Sequence, residues 1–504
     1  MKRSSLVTYS ILAIAMLFCT HARAEIRLPK LISDHAVLQR GVPIRVWGWA
    51  TPGSQLIISL HGQKLAATAD ELGEWTCWLS PEAAGGPYIL TVKGDGNDTK
   101  EVQDILIGDV WFASGQSNME MPLNGFPPSA TVKNAAAEIK AATNPNLRLL
   151  LIDHRSSDFP LADISSTWTL CTPETAANFS AIAYFFGRAI AADQHVPLGL
   201  IDSTWGGTPA DSWVSMNALG TNPALLPAFA SRARFTAPLA QQGEQEAAEK
   251  REDEQAKAVG KSAPHHPWHP DQTSWQPAGL FNGMVAPITK YSIKGFLWYQ
   301  GETNSAPDRA PYYAALFKAL IQDWRSHFAQ GDLPFLYAQI SSFNSPGENW
   351  GLVRDAQRRA LALRDTAMAV TLDVGDPDNV HPADKQTVAA RLALGARALV
   401  YGESVQYASP LFRQATTEAT GMRVWFDNSK GLSAHGKTIE GFELAGQDHH
   451  FAPADAVIDG ETVVVKSSHT ASPRYVRYGW QGVVTSSLYN DAALPASTFS
   501  SEPD

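Results

Sequence analysis

The 504-residue sequence predicts a three-layer α/β domain with a mostly parallel sheet, preceded by a β-sandwich and followed by a second β-region. Three observations carry this expectation. Between Ile105 and about Gly402, buried apolar runs alternate with stretches of helical periodicity, the pattern of strand–helix–strand units. Before Ile105, and again from Pro410 to the end, short β-prone runs are separated by turn residues with no helical stretch between them. The composition, 44% hydrophobic and 18% charged, is that of a globular chain with a sizeable core.

Residues 1–24 have the form of an export signal. Lys2 and Arg3 precede an apolar stretch from Ile11 to Phe18, and Ala22-Arg23-Ala24 supplies a small-x-small cleavage site. The apolar stretch is too short to span a bilayer comfortably. The expected product is an exported protein, periplasmic or secreted. Losing Lys2, Arg3 and Arg23 takes the formal charge from −10 to −13, which argues against nucleic acid or anionic lipid as a partner. Cys77 and Cys171 would be the remaining cysteines, too few for a disulfide framework or a metal spacing, and are expected to be buried and unpaired.

Residues 25–104 read as the sandwich. Its strands include Ile44 to Trp49, Leu56 to Leu60, Trp75 to Leu79 and Tyr88 to Val92, and turns such as Pro52-Gly53 and Gly85-Gly86-Pro87 divide them. In the α/β segment, 105–405, strands are expected at Leu149 to Ile152, Gly199 to Asp202, Gly295 to Tyr299, Phe335 to Ile340 and Met368 to Leu372. Helices are expected near Ile182 to Ala192, Tyr313 to His327, Val353 to Leu363 and Gln386 to Val400. An insertion, 222–275, contains the polar helical run "EQEAAEKREDEQAKAVGK" and then "PHHPWHP". Its histidines His265, His266 and His269 are flanked by proline without cysteine or carboxylate at ligand spacing, so they read as a surface loop rather than a metal site. Residues 410–504 form the second β-region, with strands such as Arg423 to Phe426 and Tyr475 to Trp480.

Chemistry gathers where these strands end. In "GDVWFASGQSNME" a β-prone run breaks at Ser114-Gly115, and helix-compatible residues resume at Ser117. A serine on such a turn is raised above the sheet edge with its N–H facing the same space as Oγ, which suits a nucleophile and also suits a plain helix N-cap. A nucleophilic serine needs a base, and the base an orienting group. "DPDNVHPADKQTVAARLALGARAL" offers His381, with Pro382 expected at the first helical position and Asp378 three residues earlier. In "GFLWYQGETN" a buried strand ends in Gln300-Gly301-Glu302: the Gln300 amide can donate to a developing oxyanion, and Glu302 can accept from a histidine. In "STWGGTPADSW", Gly206 and Gly207 allow close backbone approach, with the Gly207 N–H as a second oxyanion donor. Trp205 and Trp213 flank that turn as candidate sugar platforms. Ser117 is not in a G-x-S-x-G elbow, because Met119 stands where the second glycine would be, so an α/β-hydrolase is not expected.

The blocks "SGQSNME", "WGGT", "WYQGETN" and "HPADKQTVAARLALGARAL", in this order, resemble the sialate O-acetylesterase family of carbohydrate esterases, within the SGNH-hydrolase superfamily. The resemblance spans nearly the whole mature chain. It implies an SGNH-hydrolase-like α/β domain, Ser117 as nucleophile, His381 as base, and an oxyanion hole from the N–H groups of Ser117 and Gly207 with Gln300. It also implies an acid at Asp378, by the superfamily pattern, or at Glu302, as in some related acetylesterases. Tethering on one short loop with His381 favours Asp378. The expected activity is removal of O-acetyl groups from a glycan, either sialic acid or a plant-wall polysaccharide such as xyloglucan or xylan, through an acetyl-enzyme and without metal or organic cofactor. The alternatives are a noncatalytic glycan-binding protein, and a lipase or thioesterase on the same fold. Oligomeric state is left open.

Overall fold

The strand expected to begin at Ile105 runs well beyond its apolar stretch, from Thr99 to Gly115. In the computed structural model, which describes residues 25–503 apart from 96–97, 237–238, 263, 265, 267–268, 419–420 and 435–437, this strand joins two domains. Residues 1–24, where an export signal is expected, and His265 therefore lie outside the described residues. The first half of the strand pairs antiparallel with Gly85–Lys93, alternating buried and exposed side chains, while Val37–Gln39 runs parallel beside its middle. Its second half is buried on both faces, as the near-continuous run of Val110, Trp111, Phe112 and Ala113 requires. Strands Gln55–Leu60 and Gln63–Thr68, and the separate pair Ile44–Trp49 with Glu74–Leu79, complete the N-terminal β-domain.

The central sheet has the order Thr366–Ala369, Phe335–Ala338, Gly295–Tyr299, Thr99–Gly115, Leu198–Thr204, Asn144–Leu151, Thr169–Cys171. All neighbours along it are parallel except the last pair. Helices Ala181–Gln194, Ala310–Phe328, Trp350–Arg359 and Lys385–Leu399 cover its faces, close to the expected bounds. The last differs at the end that matters. It begins at Lys385, capped by Asp384 accepting from the Thr387 N–H, so Pro382 and His381 belong to the loop before it. Cys77 and Cys171 are both buried and unpaired.

The insertion contains two helices, Pro227–Thr236 and Leu239–Ala258. His266 and His269 reach back to the second, Nε2 to Asp253 at 3.0 Å and to Glu249 at 2.8 Å, so the polar loop is tied down by carboxylates of its own helix. The C-terminal region has its own core around Val424, Phe426, Phe442, Val463, Tyr478 and Phe499. It is fastened to the α/β domain by Arg354, whose buried guanidinium donates to the carbonyls of Ile340 and Ser341 on one side and of Gly479, Gln481 and Gly482 on the other. No helix among the described residues is long and apolar enough to cross a membrane.

Candidate active site

Three parallel strands end level with one another. Gly115 pairs with Thr204 on one side and with Tyr299 on the other, so Ser117, the Trp205–Gly207 turn and Gln300–Glu302 all emerge at the same carboxyl edge. Gly115 makes this possible. Its φ is +138°, and a Cβ there would sit 2.1 Å from the Tyr299 carbonyl oxygen. The Gln116 N–H donates to that same carbonyl at 3.0 Å, and the Trp205 N–H to the Gly115 carbonyl at 3.1 Å. The Gln116 side chain accepts from the N–H groups of Gly301 and Thr303, which locks the serine turn to the Gln300–Glu302 turn.

Ser117 opens the single helical turn Ser117–Glu120. Its Oγ lies 2.8 Å from Nε2 of His381. Residues 264 apart in sequence are thus joined as a hydroxyl and an imidazole base. The His381 loop is held by several bonds: the Asn379 side chain accepts from the His381 N–H and donates to the Ser129 carbonyl, and the Lys133 N–H donates to Ala383. Phe126 meets the imidazole edge-on at 5.4 Å. Burial, with the nearby Lys385 charge second, pushes the His381 imidazole down to about 4, so it rests neutral and able to accept a proton.

Asp378 is not at the imidazole. It is exposed, its N–H is turned toward the Asp376 side chain, and no carboxylate among the described residues bonds to His381. The loop aims its acids at solvent, because the contact holding it is made by Asn379. Glu302 does not touch His381 either. Buried, it accepts from Asn118 Nδ2 at 2.5 Å, and the same amide donates to the Val380 carbonyl at 2.9 Å, next to His381. Asn118 Oδ1 accepts from the buried Lys385 ammonium at 2.6 Å. Burial raises the Glu302 carboxyl above its usual range and brings Lys385 down to about 7. Asn118, next to Ser117, therefore couples a buried acid and a buried amine to the loop that carries His381.

Two further expectations are corrected. Gln300 is fully buried, and its Nε2 is spent on the Thr208 carbonyl at 3.2 Å and Asn304 Oδ1 at 2.6 Å, so its amide braces the glycine turn and does not face an oxyanion. Trp213 is also fully buried, donating to Thr208 Oγ1 and packing against Trp298, and offers no face to a sugar. Gly207 has a φ of +70°, and Trp275 from the end of the insertion anchors its carbonyl at 2.8 Å. Trp205 remains partly exposed beside Ser117. The roles of Asn118 and Lys385 were missed because an asparagine and a lysine in motif blocks read as ordinary helix residues. His154, which stacks on Trp205, carries no sequence signal at all.

The model of the carbohydrate esterase, sialic acid-specific acetylesterase family matches residues 256–398, which include the strand ending in Gln300 and the His381 loop. The sialate O-acetylesterase of Rattus norvegicus is 30% identical over 502 residues, covering 90% of this chain and 89% of that protein. This chain belongs to the sialate O-acetylesterase family. As a member it is a carbohydrate O-acetylesterase. The Homo sapiens sialate O-acetylesterase is likewise 30% identical, over 76% of this chain and 73% of its own length. A crystal structure of a carbohydrate acetylesterase from Xanthomonas citri, 35% identical, superposes with a TM-score of 0.81 and covers 95% of this chain and all of that one.

Proposed function

We propose that this family member is an exported serine esterase that removes acetyl groups from O-acetylated glycans, including plant-wall polysaccharides, through an acetyl-enzyme. The observation that carries the mechanism is the 2.8 Å contact between Ser117 Oγ and His381 Nε2 at the level edge of the parallel sheet. With the imidazole proton on Nδ1, Nε2 takes the serine proton as Oγ bonds to the acetyl carbonyl carbon. Negative charge builds on the carbonyl oxygen, where the N–H groups of Ser117 and Gly207 receive it. The tetrahedral species collapses by breaking the bond to the sugar oxygen, which leaves with the proton from Nε2. Water then repeats the sequence on the acetyl-serine and releases acetate.

His381 works here as half of a Ser–His pair. Asn379 and the Asn118–Glu302–Lys385 group hold the backbone of its loop, and none of these bonds reaches the imidazole itself. Export is supported by the charged, apolar and small-residue pattern of residues 1–24. The test is acetate release from acetylated xyloglucan, acetylated xylan and O-acetyl sialic acid by the wild type and Ser117→Ala. The variant should fold normally and lose activity by at least about 10³-fold. Near-wild-type turnover in folded Ser117→Ala would refute the mechanism.

A further inference from the structure

The Gly207 N–H assigned to the oxyanion lies on the peptide between Gly206 and Gly207. Neither glycine has a Cβ to limit rotation, so this N–H is aimed only as well as its neighbours hold it. On the amino side, the Trp205 N–H donates to the Gly115 carbonyl at 3.1 Å, and Thr208 Oγ1 donates back to the Trp205 carbonyl at 2.7 Å. On the carboxyl side, Gln300 holds the Thr208 carbonyl, and Asn304 accepts from the Ala210 N–H at 2.8 Å. The Gly207 carbonyl itself is held from outside the turn, by Trp275 Nε1 at 2.8 Å. Only the φ and ψ of Gly207 separate that carbonyl from the oxyanion donor, so anchoring the one restrains the direction of the other.

Trp275 is set in place by both helices of the insertion. It ends the short turn Thr273–Trp275, whose start is fixed by Asp271: one carboxylate oxygen accepts from the N–H and hydroxyl of Thr273 and from the Ser274 N–H. Just before Asp271, the Pro270 carbonyl accepts from Gln242 and the His269 ring meets Glu249, both side chains of helix Leu239–Ala258. The Arg309 guanidinium lies over the indole, 4.7 Å from its centre. Arg309 Nε donates to the Thr303 carbonyl at 2.8 Å, and the Thr303 N–H donates to the Gln116 side chain, next to Ser117. Asp308, beside Arg309, accepts from Ser231 and Arg234 of helix Pro227–Thr236. The insertion is thus bonded toward both oxyanion donors, to Gly207 through Trp275 and to the serine turn through Arg309 and Thr303.

We infer that Trp275 is a positioning residue for acetyl transfer, holding the Gly207 N–H on the developing oxyanion, and that the 222–275 insertion is the brace that presents it. The inference rests on the reading of Ser117 as nucleophile and of the Gly207 N–H as an oxyanion donor. The carbonyl oxygen carries more charge in the tetrahedral species than in the bound ester, so a loosened donor costs turnover and spares ground-state binding. Acetylation and deacetylation both pass through an oxyanion, so both steps slow together.

The experiment uses the full-length enzyme and p-nitrophenyl acetate. Trp275→Phe removes the indole N–H and keeps an aromatic ring beneath Arg309. It should lower kcat about 10-fold and leave KM within about 2-fold of wild type. Affinity for phenylboronic acid, which bonds to Ser117 Oγ as a tetrahedral anion, should fall by a similar factor. Asp271→Ala should give about a 3-fold loss of the same kind and add little on top of Trp275→Phe, because both act through one bond. Unchanged kcat in folded Trp275→Phe overturns the inference. A rise in KM alone does so too, since it would make Trp275 a substrate contact, and so does full multiplication of the two losses. If Trp275→Phe does not fold, Asp271→Ala decides by the same kcat and boronic acid measurements. Ser117→Ala is assayed alongside: retained hydrolysis would overturn the nucleophile reading and the brace with it, whereas its loss, with kcat and boronic acid affinity unchanged in Trp275→Phe, would overturn the brace alone.

Discussion

Neutral His381 should keep this enzyme working at pH values where an ordinary imidazole base is already protonated. The ring is pushed from a usual value near 6.5 down to about 4 by burial and, second, by the Lys385 charge. That shift corresponds to about 3 kcal/mol against the charged ring in the resting enzyme. At about pH 5.5, roughly 97% of His381 would be neutral, against about 9% for an imidazole at the usual value. The acidic limb of kcat/KM, which reports the free enzyme, should therefore lie near pH 4 to 5. The assay is acetate release from a neutral substrate between about pH 3.5 and 8, with circular dichroism at each point to exclude unfolding. The unfolded chain takes up the proton first, so this group costs stability as the pH falls from about 6.5 toward 4. An acidic limb at 6.5 or higher would refute the reasoning, since it would require a carboxylate at Nδ1 that the structure does not place there.

Asp378→Asn should change kcat/KM by less than about 3-fold, because the side chain is exposed and makes no bond to His381; a loss of several orders of magnitude would mean that the loop turns its acid inward during catalysis. Glu302→Ala should cost about 10²-fold in kcat/KM by freeing Asn118 from one of its bonds, while Glu302→Gln, whose carbonyl oxygen can still accept from Asn118, should recover most of it in the same assay. Gln300→Ala should lower stability by roughly 1–3 kcal/mol, since it leaves the buried Asn304 Oδ1 and the Thr208 carbonyl short of a donor, and denaturant unfolding would measure it. Arg354→Met should cost roughly 3 kcal/mol or more by the same method, because carbonyls of both the α/β domain and the C-terminal region lose their shared donor.

The sequence by itself determined the elements and singled out Ser117 and His381 as a candidate pair. Strand and helix periods are local, so the runs at Gly295 to Tyr299 and Ile182 to Ala192 could be read directly and lie within a few residues of the observed bounds. The motif blocks carried Ser117 and His381 as candidates, and the fold places them 2.8 Å apart. What it could not supply is where a side chain points. Asp378, three residues from His381, points to solvent because Asn379 takes the contacts that hold the loop. Gln300 and Trp213, polar and aromatic beside a glycine turn, are buried in bracing that turn. Glu120, His154 and Trp205 meet only because three chain segments converge beside Ser117. Periodicity is set by covalent neighbours within one turn or one pleat. Proximity between distant segments is set by strand order and loop packing, which no short stretch of sequence encodes.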